Sequence, residues 1–169
     1  MFKKIITFSF LFFLLSSNLN AAVTVLGSSD AYICYKHAKY GSTTQSSILT
    51  CLNAISDITV SKKDIDASRI NLGIIYNNKS KPKMALEQFE IAFKNESMRP
   101  EIFLNQGNSL LLLKDYKGAL EKYQASLENN LEDISAIYFN KGMAHEYLGN
   151  IDQAVSFYKK AITLNPSLL

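Results

Sequence analysis

The stretch AIYFNKGMAHEYLGNIDQAVSFYKKAITLN, residues 136–165, decides how this chain folds, because two earlier stretches repeat it in register. They are residues 67–96, ASRINLGIIYNNKSKPKMALEQFEIAFKNE, and residues 101–130, EIFLNQGNSLLLLKDYKGALEKYQASLENN. Four columns line up. Gly73, Gly107 and Gly142 form the first, and Ala85, Ala119 and Ala154 the second. Phe89, Tyr123 and Tyr158 form the third, and Ala92, Ser126 and Ala161 the fourth. A period near 34 residues is that of helical-hairpin repeats.

The residue types in those columns have a physical reason. Glycine inside a helix costs about 1 kcal/mol relative to alanine, so three at matching places must each return something. What they permit is close approach: the first helix of each hairpin presses against Ala85 or its equivalent on the second, and the aromatic ring fills the space beside that contact. The breakers agree. Pro82 opens the second helix of the first hairpin, Pro100 opens the next unit and Pro166 closes the last. Asp115 and Asn150 stand where an N-cap oxygen starts the second helices of the other two hairpins.

On these residues the chain resembles the tetratricopeptide repeat family. Leu72-Gly73, Tyr76, Ala85, Phe89 and Ala92 carry the likeness in the first unit, and Phe103, Gly107, Ala119 and Tyr123 in the second. Tyr138, Gly142, Ala154, Tyr158, Ala161 and Pro166 carry it in the third. The family's tryptophan is replaced by Arg69, a usual tyrosine by His145, and a leucine by Gln106 and Lys141. The resemblance implies an all-α, right-handed solenoid of antiparallel hairpins: repeats at 64–98, 99–132 and 133–169, preceded by a degenerate hairpin at 23–63.

That N-terminal hairpin is expected at Ser29 to Tyr40 and Gln45 to Ser56. With Ser47 and Ala54 in the small columns, Cys51 falls in the aromatic column and Cys34 on the opposing helix, so a Cys34–Cys51 disulfide is expected. The spacing is neither that of a zinc site nor that of a thioredoxin motif. A looser resemblance, to exported bacterial tetratricopeptide proteins with one Cys in each helix of a degenerate first hairpin, points the same way.

Ahead of the hairpin, Lys3 and Lys4 precede an apolar stretch, Ile5 to Leu15, and then small and polar residues up to Ala22. This is signal-peptide order, with a cut after Ala21 or Ala22. Eleven helical residues rise only about 17 Å, short of a membrane span, so no stable insertion is expected after cleavage. The expected location is the periplasm or the exterior. Oxidising conditions there suit a disulfide.

Without Lys3 and Lys4, 16 Lys/Arg face 15 Asp/Glu in no basic block, which argues against a nucleic-acid partner. No phosphate loop, dinucleotide fingerprint, zinc-protease motif or nucleophile elbow occurs, so no catalytic residue, metal or cofactor is expected. His145 is expected to pack between helices and His37 to sit on an exposed helix face.

A surface remains. Two residues before each packing glycine stands an asparagine: Asn71, Asn105 and Asn140. In the family this place points into the concave groove, where an amide can accept from and donate to a peptide backbone. Solvated asparagines are the competing account. Ile70, Ile74, Leu104, Asn108, Leu111, Leu112, Phe139, Met143 and Tyr147 are expected around the ladder, giving an apolar groove for a protein or peptide. Leu110 to Leu113 exceed what one helix face buries, so one of them is expected to meet a neighbour or ligand. The last hairpin is expected to be uncapped, with Ile151, Val155 and Ile162 partly exposed. That edge suits a homodimer or an assembly role in a cell-envelope complex, the alternative to a non-catalytic peptide-binding scaffold.

Overall fold

The computed structural model describes residues 19–25 and 29–168, and among them it is entirely helical, with no strand. The helices are α1 (Ser29–Lys39), α2 (Gln45–Ser56), α3 (Lys62–Asn78), α4 (Pro82–Ala92), α5 (Arg99–Leu112), α6 (Tyr116–Glu128), α7 (Ile134–Tyr147) and α8 (Ile151–Leu164). Each packs on its successor. In addition α1 packs on α3, α3 on α5 and α5 on α7, so the first helices of successive hairpins share one layer. The basic start and apolar stretch of the expected signal peptide lie outside the described residues.

Local chemistry sets the helix ends. Pro82 occupies the first turn of α4 and Pro100 that of α5, where the missing N–H costs nothing. Thr44, Ser61 and Asp115 cap α2, α3 and α6 by accepting from Ser47, Asp64 and Gly118 backbone N–H groups at 3.1, 3.1 and 3.0 Å. Asn150 holds the N-cap position of α8 but makes no cap bond. Its Nδ2 lies 3.5 Å from His145 Nδ1 instead, so the expected cap role for its side chain is corrected.

The glycine column works more directly than expected. A Cβ on Gly73 would stand 2.4 Å from the Phe89 ring, one on Gly107 2.4 Å from the Tyr123 ring and one on Gly142 2.6 Å from the Tyr158 ring. The aromatic side chain itself, rather than Ala85 or its equivalents, takes the place of the missing methyl. Phe89 and Tyr123 are wholly enclosed, and the small residues Ala85, Ala92, Ala119 and Ser126 beside them are fully buried.

In α1–α2 the same slot is covalent. Cys34 and Cys51 are completely buried, with sulfurs 2.02 Å apart, a disulfide distance. They join one core cluster with α3 and α4, while residues of α5 to α8 form a second. His37 is half-buried rather than exposed. His145 is also half-buried and stacks on Phe157 at 5.2 Å.

Candidate groove on the inner face

Leu19 to Val25 lie without secondary structure of their own across the first-helix layer, and the asparagine ladder holds their backbone. Val23 donates its N–H to Asn71 Oδ1 at 2.9 Å, and Asn71 Nδ2 donates to Val23 C=O at 2.8 Å. Ala21 repeats the pattern with Asn105, at 3.4 Å from its N–H and 3.0 Å to its C=O. Leu19 repeats it with Asn140, at 3.2 and 2.8 Å. Residues 19, 21 and 23 therefore present both backbone groups to one asparagine each. In an extended chain alternate residues point these groups to the same side. One repeat at the groove floor thus spans two residues of extended chain, about 6.6 Å.

These amides are fixed from behind. Asn108, one turn after Asn105 on α5, donates to Leu19 C=O at 2.9 Å and to Asn20 Oδ1 at 3.0 Å. Its own oxygen accepts from the Tyr123 hydroxyl and from Asn140 Nδ2, both at 2.9 Å. The ring that fills the glycine slot of the second repeat thereby also orients the ladder. Burial pushes the Tyr123 phenol above its ordinary pKa, which keeps the hydroxyl a donor. Asn105 Nδ2 also donates to Glu101 C=O at 2.9 Å, and Asn77 Nδ2 donates to Asn105 C=O at 3.2 Å. Burial, seconded by the Glu132 charge, raises the pKa of the Glu101 carboxyl.

Every rung is enclosed: Asn71, Asn105, Asn108 and Asn140 have no exposed surface. Leu111, Phe139 and Met143 belong to the second core cluster, against which Leu19 and Ala21 pack. Ile74 lies fully inside the first cluster, against which Ala22 and Val23 pack, and Leu104 fully inside the second. Ile70 is likewise interior. Tyr147 is half-exposed and stacks on Tyr116 at 5.1 Å, so it is part of an aromatic pair. Leu112 and Leu113 stay exposed, and Leu110 and Leu111 are the members of that run drawn inward. The sequence reading missed the backbone segment that meets the ladder, although Val23-Thr24-Val25 carries the β-branched signal of extended chain.

The other candidate surface lies on the last hairpin. Ile151, Val155 and Leu164 are exposed, and Ile162 is half-buried. A shallow hollow between α7 and α8 is lined by Ile134, Tyr138, Lys159, Lys160, Thr163 and Leu164. Lys141 and Lys160 lie over the Phe157 ring at 5.0 and 5.5 Å. Burial, and then the Lys141 charge, lower the His145 pKa. Among the described residues no group of three or more His, Cys, Asp or Glu could hold a metal, and no helix is long and apolar enough to cross a membrane.

The tetratricopeptide repeat profile matches residues 135–168. Over 117 residues, 69% of this chain, the sequence is 31% identical to the small glutamine-rich tetratricopeptide repeat-containing protein 2 of Saccharomyces cerevisiae. It is 31% identical over 86 residues, 51% of the chain, to BBSome complex member BBS4 of Mus musculus. It is 25% identical over 139 residues, 80% of the chain, to the type IV pilus assembly protein PilF of Pseudomonas aeruginosa. The matches span 29%, 16% and 53% of those proteins' lengths. The chain is built of tetratricopeptide repeats, an architecture of protein–protein interaction scaffolds.

Proposed function

We propose that this chain is an exported, non-catalytic scaffold that binds an extended segment of another polypeptide along its inner face. One observation carries the reading: three asparagines, one per repeat, each pair with both backbone groups of every second residue of an extended segment. Pairing of this kind supplies affinity from the main chain, while the apolar walls select side chains, as in strand addition to a sheet edge. The leader pattern supports export, to the periplasm or the exterior. The order of its segments is that of a cleavable signal.

A second reading has its own observation. Ile151, Val155 and Leu164 leave an apolar edge on α8 exposed, which suits docking into a larger complex or a second copy. The likeness to a pilus assembly protein is in keeping with an assembly role. Photo-crosslinkers at Leu111 and at Val155 separate the two in the exported protein. The groove reading expects crosslinks to a polypeptide partner from Leu111, reduced at least tenfold by Asn105→Ala with Asn140→Ala. Crosslinks confined to Val155, abolished by Val155→Asp with Ile162→Asp, would replace it with the edge reading.

A further inference from the structure

The segment seated on the ladder belongs to the chain itself. Val25 is buried in the first core cluster, and Val23 is held at 2.9 and 2.8 Å. Leu19 and Ala21 are partly buried, as Val23 is; their N–H groups reach the ladder at 3.2 and 3.4 Å, and their carbonyls accept from Asn140 and Asn105 at 2.8 and 3.0 Å. A cut after either residue of Ala21-Ala22, the small pair that a leader-removing peptidase accepts, lies between the residue held by Asn105 and the residue held by Asn71.

We infer that Leu19 to Ala21 are a built-in occupant of the groove, and that cutting the chain after Ala21 or Ala22 opens it to an extended partner of matching pattern. The inference rests on the scaffold reading above and names how that site is opened and what it takes. In the cut, water adds across the peptide bond. A carboxylate is left on the alanine and an ammonium on the residue that follows. Either cut leaves Val23 on Asn71 and frees the two other rungs. Asn105 Oδ1 and Asn140 Oδ1 then lose their backbone donors, and Asn108 Nδ2 loses both the Leu19 carbonyl and the Asn20 side chain. These amides remain pre-set by Glu101 C=O, the Tyr123 hydroxyl and one another.

The leaving segment specifies its replacement. The chain direction runs from the third repeat to the first, since Leu19, Ala21 and Val23 meet Asn140, Asn105 and Asn71 in that order. Aliphatic or small side chains occupy the paired positions. Between them stands a side-chain amide, Asn20, which accepts from Asn108 and reaches Asn78 Oδ1 at 3.5 Å. The rungs are neutral. The partner is therefore an uncharged extended stretch of aliphatic, amide, small order, with its N-terminal side at α7.

The test uses the full chain in detergent micelles and the same chain after processing by a signal-removing peptidase. The probe is the peptide Leu-Asn-Ala-Ala with blocked ends, followed by the NMR signals of the Asn105 and Asn140 side-chain amides. The processed chain is expected to begin at Ala22 or Val23 and to bind the probe at those amides. The full chain should bind at least tenfold more weakly, as should the reversed peptide to the processed chain. Ala21→Pro, which removes the N–H paired with Asn105 without touching the hairpins, should open the uncut chain to the probe. Equal binding by cut and uncut chains overturns built-in occupancy, and a processed chain starting elsewhere or unmoved amides in both forms overturns the inference. The scaffold reading falls on different evidence, when crosslinks from Leu111 capture no polypeptide.

Discussion

The first hairpin and the three that follow solve one packing problem in two ways. In each repeat a glycine on the first helix faces an aromatic ring on the second, sixteen residues later, and the ring occupies the volume of the absent side chain. In α1–α2 the facing positions hold Cys34 and Cys51, seventeen residues apart, and a sulfur–sulfur contact replaces the ring. A covalent link does not depend on buried area, whereas the Tyr158 ring of the last repeat fills its slot while only half-buried. The repeating constraint is therefore the close approach of two helices, not the residue that achieves it.

Four experiments test the contrast between the two kinds of hairpin. Tyr123→Ala empties a fully enclosed site and removes the hydroxyl that orients Asn108, so it should cost about 4 kcal/mol in urea unfolding. Reduction, or Cys34→Ser with Cys51→Ser, should cost about 3 kcal/mol by releasing a closed loop, a loss that the ring-packed hairpins do not share. Hydrogen exchange would show it, with α1 and α2 deprotected and α5 to α8 unchanged; deprotection spread over all hairpins would erase the contrast. Gly107→Ala comes next. Alanine favours the helix, but its methyl would meet the Tyr123 ring at 2.4 Å, and a net loss of about 2 kcal/mol is expected on thermal melting. A stabilised variant would show that the ring yields easily.

The smallest effect is one of pH. His145 has a lowered folded pKa, through burial first and the Lys141 charge second. The unfolded chain therefore takes up a proton before the folded one does. Stability should fall slightly as pH drops from the ordinary imidazole range toward the lowered folded value. His145→Tyr, the family's usual residue, should flatten that slope in urea midpoints measured between pH 7.5 and 5.

Much of the architecture was legible in the residues, because its causes are local. Pro82, Pro100 and Asp115 act on their own first turns, and each glycine meets a ring within its own hairpin. Asn150 departs from the expected cap because a cap residue's side chain has a choice, and His145, five residues earlier, offers it an alternative. Tyr147 stacks on Tyr116 of another helix, a pairing that the repeat pattern does not show. The ladder asparagines could be picked out by their column, but not what they face. A repeating position names a direction, and its occupant carries no repeat.

By itself the sequence determined the hairpins and their order, since the contacts that define each unit close within about 34 residues and recur. Only the tertiary structure decided that Leu19 pairs with Asn140, 121 residues away, and that three amides from three helices align along one extended backbone. Backbone hydrogen-bonding groups are the same in every residue, so such pairing leaves no mark in composition or period. It exists once stacking brings the amides to the spacing of an extended chain.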